Sequence, residues 1–309
     1  MTENASIRGV WCATLTPFDA NGKPDHARLA AHANRLFANG IDGIALFGTT
    51  GEGQSLSLKE RLTGLDALLA AGIPAARIVA GTGCAALPET IELTRHAVQS
   101  GCAGALVLPP FFFKGVSEEG VYAGFARLTD AVADVRLRLY LYHIPQVTGV
   151  AIPHDVISRL MTTYPGLVAG VKDSAGDLAH TRQLLERFRS LAIFVGHEPH
   201  LPAAVAAGGA GTICGVSNLY PRLLRRLYDQ SVAGNAGEDL ARVEAFVASL
   251  DSVPLFGALK AMMSQLTGDA SWEALRPPLL ALDRDARRGW LATVARAGIV
   301  PERDAAASH

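Results

Sequence analysis

Charge is sparse in this chain. Charged residues make up 18% of its 309 positions and the formal net charge is −1, so neither nucleic acid nor an anionic membrane is indicated as a partner. No apolar run approaches the roughly 18 residues that a spanning helix requires, and the opening MTENASIRG lacks the apolar stretch of a signal peptide. Cys12, Cys84, Cys102 and Cys214 stand far apart with no C-x-x-C pair. That excludes a disulfide framework and a zinc-finger spacing, and reads as buried reduced thiols in a cytoplasmic protein. Lysine is scarce as well: Lys23, Lys59, Lys114, Lys172 and Lys260 are the whole set.

What is present is apolar. Hydrophobic residues reach 49%, enough for a large core and too many for disorder. They fall into eight short runs: GVWCATLTPF from Gly9, IDGIALFG from Ile41, ARIVAGTG from Ala76, GALVLPP from Gly104, LRLYLYHIP from Leu137, LVAGVKDS from Leu167, AIFVGHE from Ala192 and GAGTICGVSN from Gly209. Each is rich in Val, Ile and Leu and bounded by Gly or Pro, as strands buried on both faces are. Segments of helical period, such as ETIELTRHAVQS and DVISRLMTTY, separate them. Eight such alternations predict an α/β fold, a (β/α)8 TIM barrel, with a doubly wound open sheet as the alternative. From about Pro221 the alternation stops, and helices are expected near 236–250, 254–267 and 284–298. Residues 1–220 thus read as the barrel, and 221–309 as its last helix plus a C-terminal helical extension of the same domain. The closing AAASH is expected to fray.

In a barrel the chemistry sits at the C-terminal ends of the strands. Strand two ends in Gly48-Thr49-Thr50-Gly51-Glu52, strand five in Tyr142-His143-Ile144-Pro145, strand six in Lys172-Asp173-Ser174 and strand seven in Gly196-His197-Glu198. Lys23 falls in a hairpin turn, Lys59 at a helix start, Lys114 in a loop and Lys260 on a late amphipathic helix, which leaves Lys172 as the lysine inside an apolar strand. Burying an ammonium is costly unless it is paired or neutral, and a neutral amine attacks carbonyls. The alternative is a core lysine paired with Glu52 or Glu198. Strand alternation puts Tyr140, Tyr142 and Ile144 on one face, so Tyr142 is either a proton shuttle beside the lysine or plain packing. The glycine-flanked turn at Gly48, Thr49 and Thr50 is either a nest for a carboxylate or an ordinary strand-to-helix turn.

Together, GTTGE, YHIP and GVKDSAGD, with TLTPFDANGKPD, PPFFFKGVSEEGVYAGF and GGAGTICG around them, resemble the dihydrodipicolinate synthase / N-acetylneuraminate lyase family of class I aldolases. The resemblance implies a Schiff base on Lys172, proton relay by Tyr142, a 2-oxo acid carboxylate held by Thr49 and Thr50, and a pocket wall at Ile213. It also implies catalysis without cofactor or metal, a small-molecule 2-oxo acid as partner, and a homotetramer built as a dimer of dimers. Two departures stand out. Val147 occupies the place where pyruvate–aspartate semialdehyde synthases carry an arginine, and no apolar side chain replaces a guanidinium on a carboxylate. Phe111, Phe112 and Phe113 fill the loop that often lends a tyrosine across a subunit interface.

The second-substrate pocket is expected to be lined by Phe112, His143, Gln146 and Val147, with His197 and Glu198 as further candidates. The expected activity is reversible aldol cleavage of a 2-oxo-3-deoxy sugar acid. The alternatives are 4-hydroxy-tetrahydrodipicolinate synthase-type condensation, or a dehydratase or deaminase of the same family. Three rivals compete: metal catalysis through His197, Glu198 and His200, a phosphate site at GGAGT, and a non-enzymatic barrel that senses 2-oxo acids.

Overall fold

The computed structural model describes residues 7–301. The AAASH tail and most of MTENASIRG lie outside the described residues. All eight apolar runs become strands: β1 (Gly9–Ala13), β2 (Gly43–Leu46), β3 (Ile78–Gly81), β4 (Gly104–Val107), β5 (Leu139–His143), β6 (Val168–Asp173), β7 (Ala192–Val195) and β8 (Gly211–Cys214). They pair in sequence order, every pair parallel, and β8 closes on β1. An open sheet is thereby excluded.

The period of two sorts each strand between two layers. Inside the barrel sit Trp11, Ala13, Ala45, Val79, Leu106, Tyr140, Tyr142, Ile144, Phe194 and Ile213. The alternate residues, among them Val10, Ile44, Leu139, Leu141, Val171 and Ile193, face outward into the larger core shared with the helices. Glycine makes room for the inner aromatics: a methyl added at Gly43 would lie 2.2 Å from the Trp11 ring, and one at Gly104 would lie 2.6 Å from Tyr140.

The helices are α1 (His26–Ala38), α2 (Leu58–Ala70), α3 (Leu87–Gln99), α4 (Glu118–Val132), α5 (Pro145–Thr148), α6 (His154–Thr163), α7 (Leu178–Arg187), α8 (Leu201–Ala206) and α9 (Pro221–Val232). Side-chain caps start several of them: Asp25 on α1, Ser57 with Glu60 as a capping box on α2, Ser117 on α4 and Asp177 on α7. The extension comprises α10 (Glu238–Leu250), α11 (Leu255–Thr267) and α12 (Arg284–Arg296), pinned by buried Trp272 and Trp290. No single helix among the described residues is long and apolar enough to cross a membrane.

Two expectations need correction here. Cys12 and Cys214 are buried, but Cys84 and Cys102 are only half-buried, because each lies in a connection just outside a strand or helix; all four thiols are free. And α11 is no amphipathic surface helix. Gly257 through Ser264 are buried without a break, so Lys260 lies wholly inside the protein.

Candidate active site

The strand register assembles the centre. Tyr142 on β5 stands beside Lys172 on β6, and both point into the barrel at the ends of their strands. Lys172 and Tyr142 are each 4% exposed. The Lys172 Nζ donates to the Tyr142 hydroxyl at 3.1 Å and lies 4.2 Å from the centre of its ring. Burial by itself would raise the Tyr142 phenol; the Lys172 charge and hydrogen bonds with Thr49, Lys172 and Ser174 outweigh it and hold the phenol below its ordinary value. A buried amine touching an acidified phenol offers a nucleophile and a proton carrier at one spot. Lys172 pairs with neither Glu52 nor Glu198; those carboxylates have other partners.

The Gly48–Glu52 turn forms the opposite wall. Phe47 and Glu52, at φ 57° and 55°, adopt the left-handed region without being glycine. Such strain persists only where surroundings enforce it. Here the enforcement is close packing: a methyl at Gly51 would lie 2.6 Å from the Thr14 carbonyl oxygen, and one at Gly53 would lie 1.9 Å from that of Phe47. The turn closes with Glu52 N–H on Thr49 O and Gly53 N–H on Gly48 O, which leaves the Thr49 and Thr50 amides outside its own bonding. Gly48 faces open space, and Gly48, Thr49 and Tyr142 line one cleft. Thr50 stands beside Gly215, just after β8, and Ile213 is fully buried in the inner layer below. Lys172, Tyr142, Thr49, Thr50, Gly48 and Ile213 therefore converge on one end of the barrel.

The expected second-substrate residues converge less. Gln146 and Val147 lie on α5, at the rim above β5; Gln146 donates to the Ser174 carbonyl at 2.6 Å, and Val147 is 59% exposed. Phe112 is 67% exposed on the loop after β4, with its ring against Phe113 at 5.2 Å, so within this chain it does not line the chamber. Lys114 anchors that loop by donating to the Phe111 and Thr148 carbonyls.

His143 is a clear correction. The alternation that turns Tyr142 inward turns His143 outward, where its Nδ1 accepts the Ile152 N–H at 3.1 Å and its ring stacks on His180 at 4.4 Å. It lies behind the β5–β6 wall and not in the pocket. Burial, then the nearby His180 charge, depresses its pKa to about 4.

That outer cluster also bears on metals. His143, Asp173 and His180 have ligand atoms within 4.8 Å of one another. Yet the Nδ1 of His143 takes an amide, which puts its proton on Nε2, and His180 Nδ1 is engaged by Asp173 at 3.0 Å. His180 Nε2 in turn meets His154 Nε2 at 3.3 Å. This is a hydrogen-bonded chain on the far side of the wall from Lys172. The His197–His200 rival fares no better: these rings pack edge to face at 4.6 Å, while Glu198 points away to accept the Val216 N–H at 3.1 Å. Nor does GGAGT suit phosphate. It leads into β8 at the end of the barrel remote from Lys172, and its glycine has a packing reason, since a methyl at Gly211 would meet the Gly9 carbonyl oxygen at 1.9 Å.

One buried pair had no forecast. Glu52, the residue that closes the strained turn, meets Lys260 of α11 at 2.5 Å with both side chains at 0% exposure. Lys260 also donates to the Ala274 carbonyl at 2.6 Å. Isolated Glu52 was visible in GTTGE, but its partner lies far along the chain, and no periodicity links the two.

Comparison with known proteins bears on the family and the fold. The family model described as the dihydrodipicolinate synthetase family matches residues 6–297. An uncharacterized DapA-like lyase from Chloroflexus aurantiacus is 38% identical over 91% of this chain and 94% of its own length. The 4-hydroxy-tetrahydrodipicolinate synthase 1 of Streptomyces coelicolor is 34% identical over 91% of each. The crystal structure of dihydrodipicolinate synthase from Agrobacterium tumefaciens superposes with a TM-score of 0.87 at 35% identity, covering 93% of this chain and 98% of that one.

Proposed function

The chain belongs to the dihydrodipicolinate synthetase family of Schiff-base lyases and aldolases, and from that premise we propose that it cleaves a 2-oxo-3-deoxy sugar acid reversibly to pyruvate and an aldehyde. The observation that carries the chemistry is the 3.1 Å contact between Lys172 Nζ and the Tyr142 hydroxyl beside the Thr49 turn. Lys172 attacks C2 of the 2-oxo acid; water leaves, and a protonated imine remains. The imine accepts the electron pair of the breaking C3–C4 bond, so an aldehyde departs and an enamine of pyruvate stays on the lysine. The hydroxyl on C4 loses its proton as the aldehyde forms, and Tyr142 is placed to carry it. Protonation at C3 and hydrolysis of the imine return pyruvate and the free amine. Thr49 and Thr50 hold the carboxylate throughout.

The choice of a sugar acid rests on the rim. Val147 is exposed there, and Arg61, which lines the same cleft as Thr49 and Tyr142, has its guanidinium turned to the Gly81 and Gly83 carbonyls and the Cys84 sulfur. Neither supplies a cation for a second carboxylate. A second reading, condensation of pyruvate with aspartate semialdehyde, is favoured by the synthases among the relatives at 34% identity. A homotetramer, the family's usual assembly, belongs to the same proposal. Turnover with a panel of 2-oxo-3-deoxy sugar acids, against condensation with the semialdehyde, decides between the readings. Borohydride reduction in the presence of pyruvate, followed by peptide mapping, tests the Schiff base itself, and absence of an adduct on Lys172 removes both.

A further inference from the structure

The C-terminal extension reaches the active-site turn at one point. Lys260, from the middle of α11, ends on the Glu52 carboxylate, and both groups are shut off from solvent. Around them the 270s segment closes a tight shell. Lys260 donates to the Ala274 carbonyl, the Arg276 amide approaches Glu52 at 3.4 Å, and the Arg276 guanidinium holds the Ser55 and Gly22 carbonyls together with Glu60. Phe18 lies beneath both cations, 4.4 Å from Lys260 and 5.0 Å from Arg276.

Glu52 is an unusual place for such an anchor. It is a non-glycine residue at φ 55°, directly after Thr49, Thr50 and Gly51, and its amide closes the turn on Thr49. A left-handed glutamate persists only where its surroundings over-determine it, and a fixed side chain adds to the close packing at Gly51 and Gly53. A buried carboxylate, in turn, is tolerated only with a partner.

We propose that Lys260 is a positioning residue for the carboxylate cradle: through Glu52 it fixes the turn that presents Thr49 and Thr50 to the 2-oxo acid. This rests on the functional reading above. Removing the ammonium strands the Glu52 charge, so the turn relaxes toward water and the cradle loses its shape. Lys172 on β6 and Tyr142 on β5 stay on the barrel wall; of the phenol's partners only Thr49 lies on the turn, and those to Lys172 and Ser174 remain. The defect is therefore in holding the carboxylate, which acts on ground state and transition state alike. It raises KM and spares kcat.

The test compares wild type, Lys260→Met and the double variant Glu52→Gln/Lys260→Met, each checked for folding by circular dichroism and a thermal melt. The readouts are the pyruvate concentration for half-maximal borohydride trapping on Lys172, and KM and kcat in turnover. For Lys260→Met we expect half-saturation and KM to rise roughly tenfold or more, with kcat within about threefold and full trapping at saturating pyruvate. The double variant, with no stranded charge, should fall between the single variant and wild type, and at least about threefold above wild type. A folded Lys260→Met with wild-type half-saturation overturns the proposal, as does a loss in kcat with KM unmoved. Should Lys260→Met not fold, the double variant decides: a wild-type half-saturation there overturns it equally. Wild type that fails to trap pyruvate defeats the functional reading, and this proposal falls with it; wild-type trapping with indifferent variants defeats this proposal alone.

Discussion

Lys172 and Tyr142 face each other across the β5–β6 ladder, with Nζ 3.1 Å from the phenol oxygen. Neighbouring positions on adjacent parallel strands keep this pair in register without any loop, so its geometry is as rigid as the barrel wall. The two partners should fail differently when replaced. Lys172→Arg is expected to fold and to lose turnover and trapping, because guanidinium stays protonated and is no nucleophile. Tyr142→Phe is expected to keep borohydride trapping by pyruvate while kcat falls by about a hundredfold or more, the usual scale of a lost proton carrier. A Tyr142→Phe enzyme with near wild-type kcat would remove Tyr142 from the relay.

Chelation should not matter. The imine takes up the electron pair, so the reaction calls for no Lewis acid, and the histidine–carboxylate cluster found among the described residues, His143, Asp173 and His180, lies on the outer side of the β5–β6 wall. Exhaustive dialysis against a strong chelator is expected to leave kcat and KM unchanged. Loss of activity that zinc or magnesium restores would reopen metal catalysis.

Two buried histidines should make the fold sensitive to mild acid. Burial, with Arg35 nearby, lowers His32 to about 3, where its Nε2 contacts the Asn218 side chain at 2.9 Å. Burial, with His180 nearby, lowers His143 to about 4. An unfolded histidine takes its proton near about 6.5, so between that value and the folded ones the unfolded chain binds more protons, and stability falls as pH falls. His180, raised by its bond to Asp173, works the other way and is stabilising on the acid side of its folded value. The net expectation is a urea midpoint that drops from about pH 7 to about pH 5. His143→Asn retains an acceptor for the Ile152 amide and should shallow that drop; an unchanged slope would clear His143 of the effect.

Much of this was legible in the order of residues, for identifiable reasons. Parallel strands buried on both faces leave uninterrupted Val, Ile and Leu runs, and all eight runs became β1–β8. Lys172 stood out because a lysine in such a run needs a cause. The outward turn of His143 follows from the same alternation: if Tyr140, Tyr142 and Ile144 face inward, the residue between the last two cannot. The Lys260 pair is hidden for a different reason. One charge among Leu, Ala and Met at helical spacing looks like the wet edge of an amphipathic helix, and only the tertiary contact with Glu52 shows that no such edge exists. Long-range ion pairs leave no period in the sequence.

In the proposed reading, substrate choice turns on the rim above β5. His143 lies outside the pocket, and the Gln146 amide is engaged by the Ser174 carbonyl. The weight shifts to Val147, exposed on α5 at the position where the resemblance to the synthases implies an arginine. A charge-assisted bond to a carboxylate is worth about 1.5–3 kcal/mol, which at about 1.4 kcal/mol per factor of ten is roughly ten- to a hundredfold in specificity. Val147→Arg should therefore raise kcat/KM for condensation with aspartate semialdehyde by about that factor and lower it for sugar-acid cleavage. Because Val147 is exposed, the larger side chain meets no packed core, and the melting temperature should hold within a few degrees. Rates for both reactions, measured on wild type and variant under one set of conditions, give the ratio directly. A wild type that already prefers the semialdehyde by a wide margin, or a variant whose ratio does not move, would show that second-substrate selection lies elsewhere in the barrel mouth.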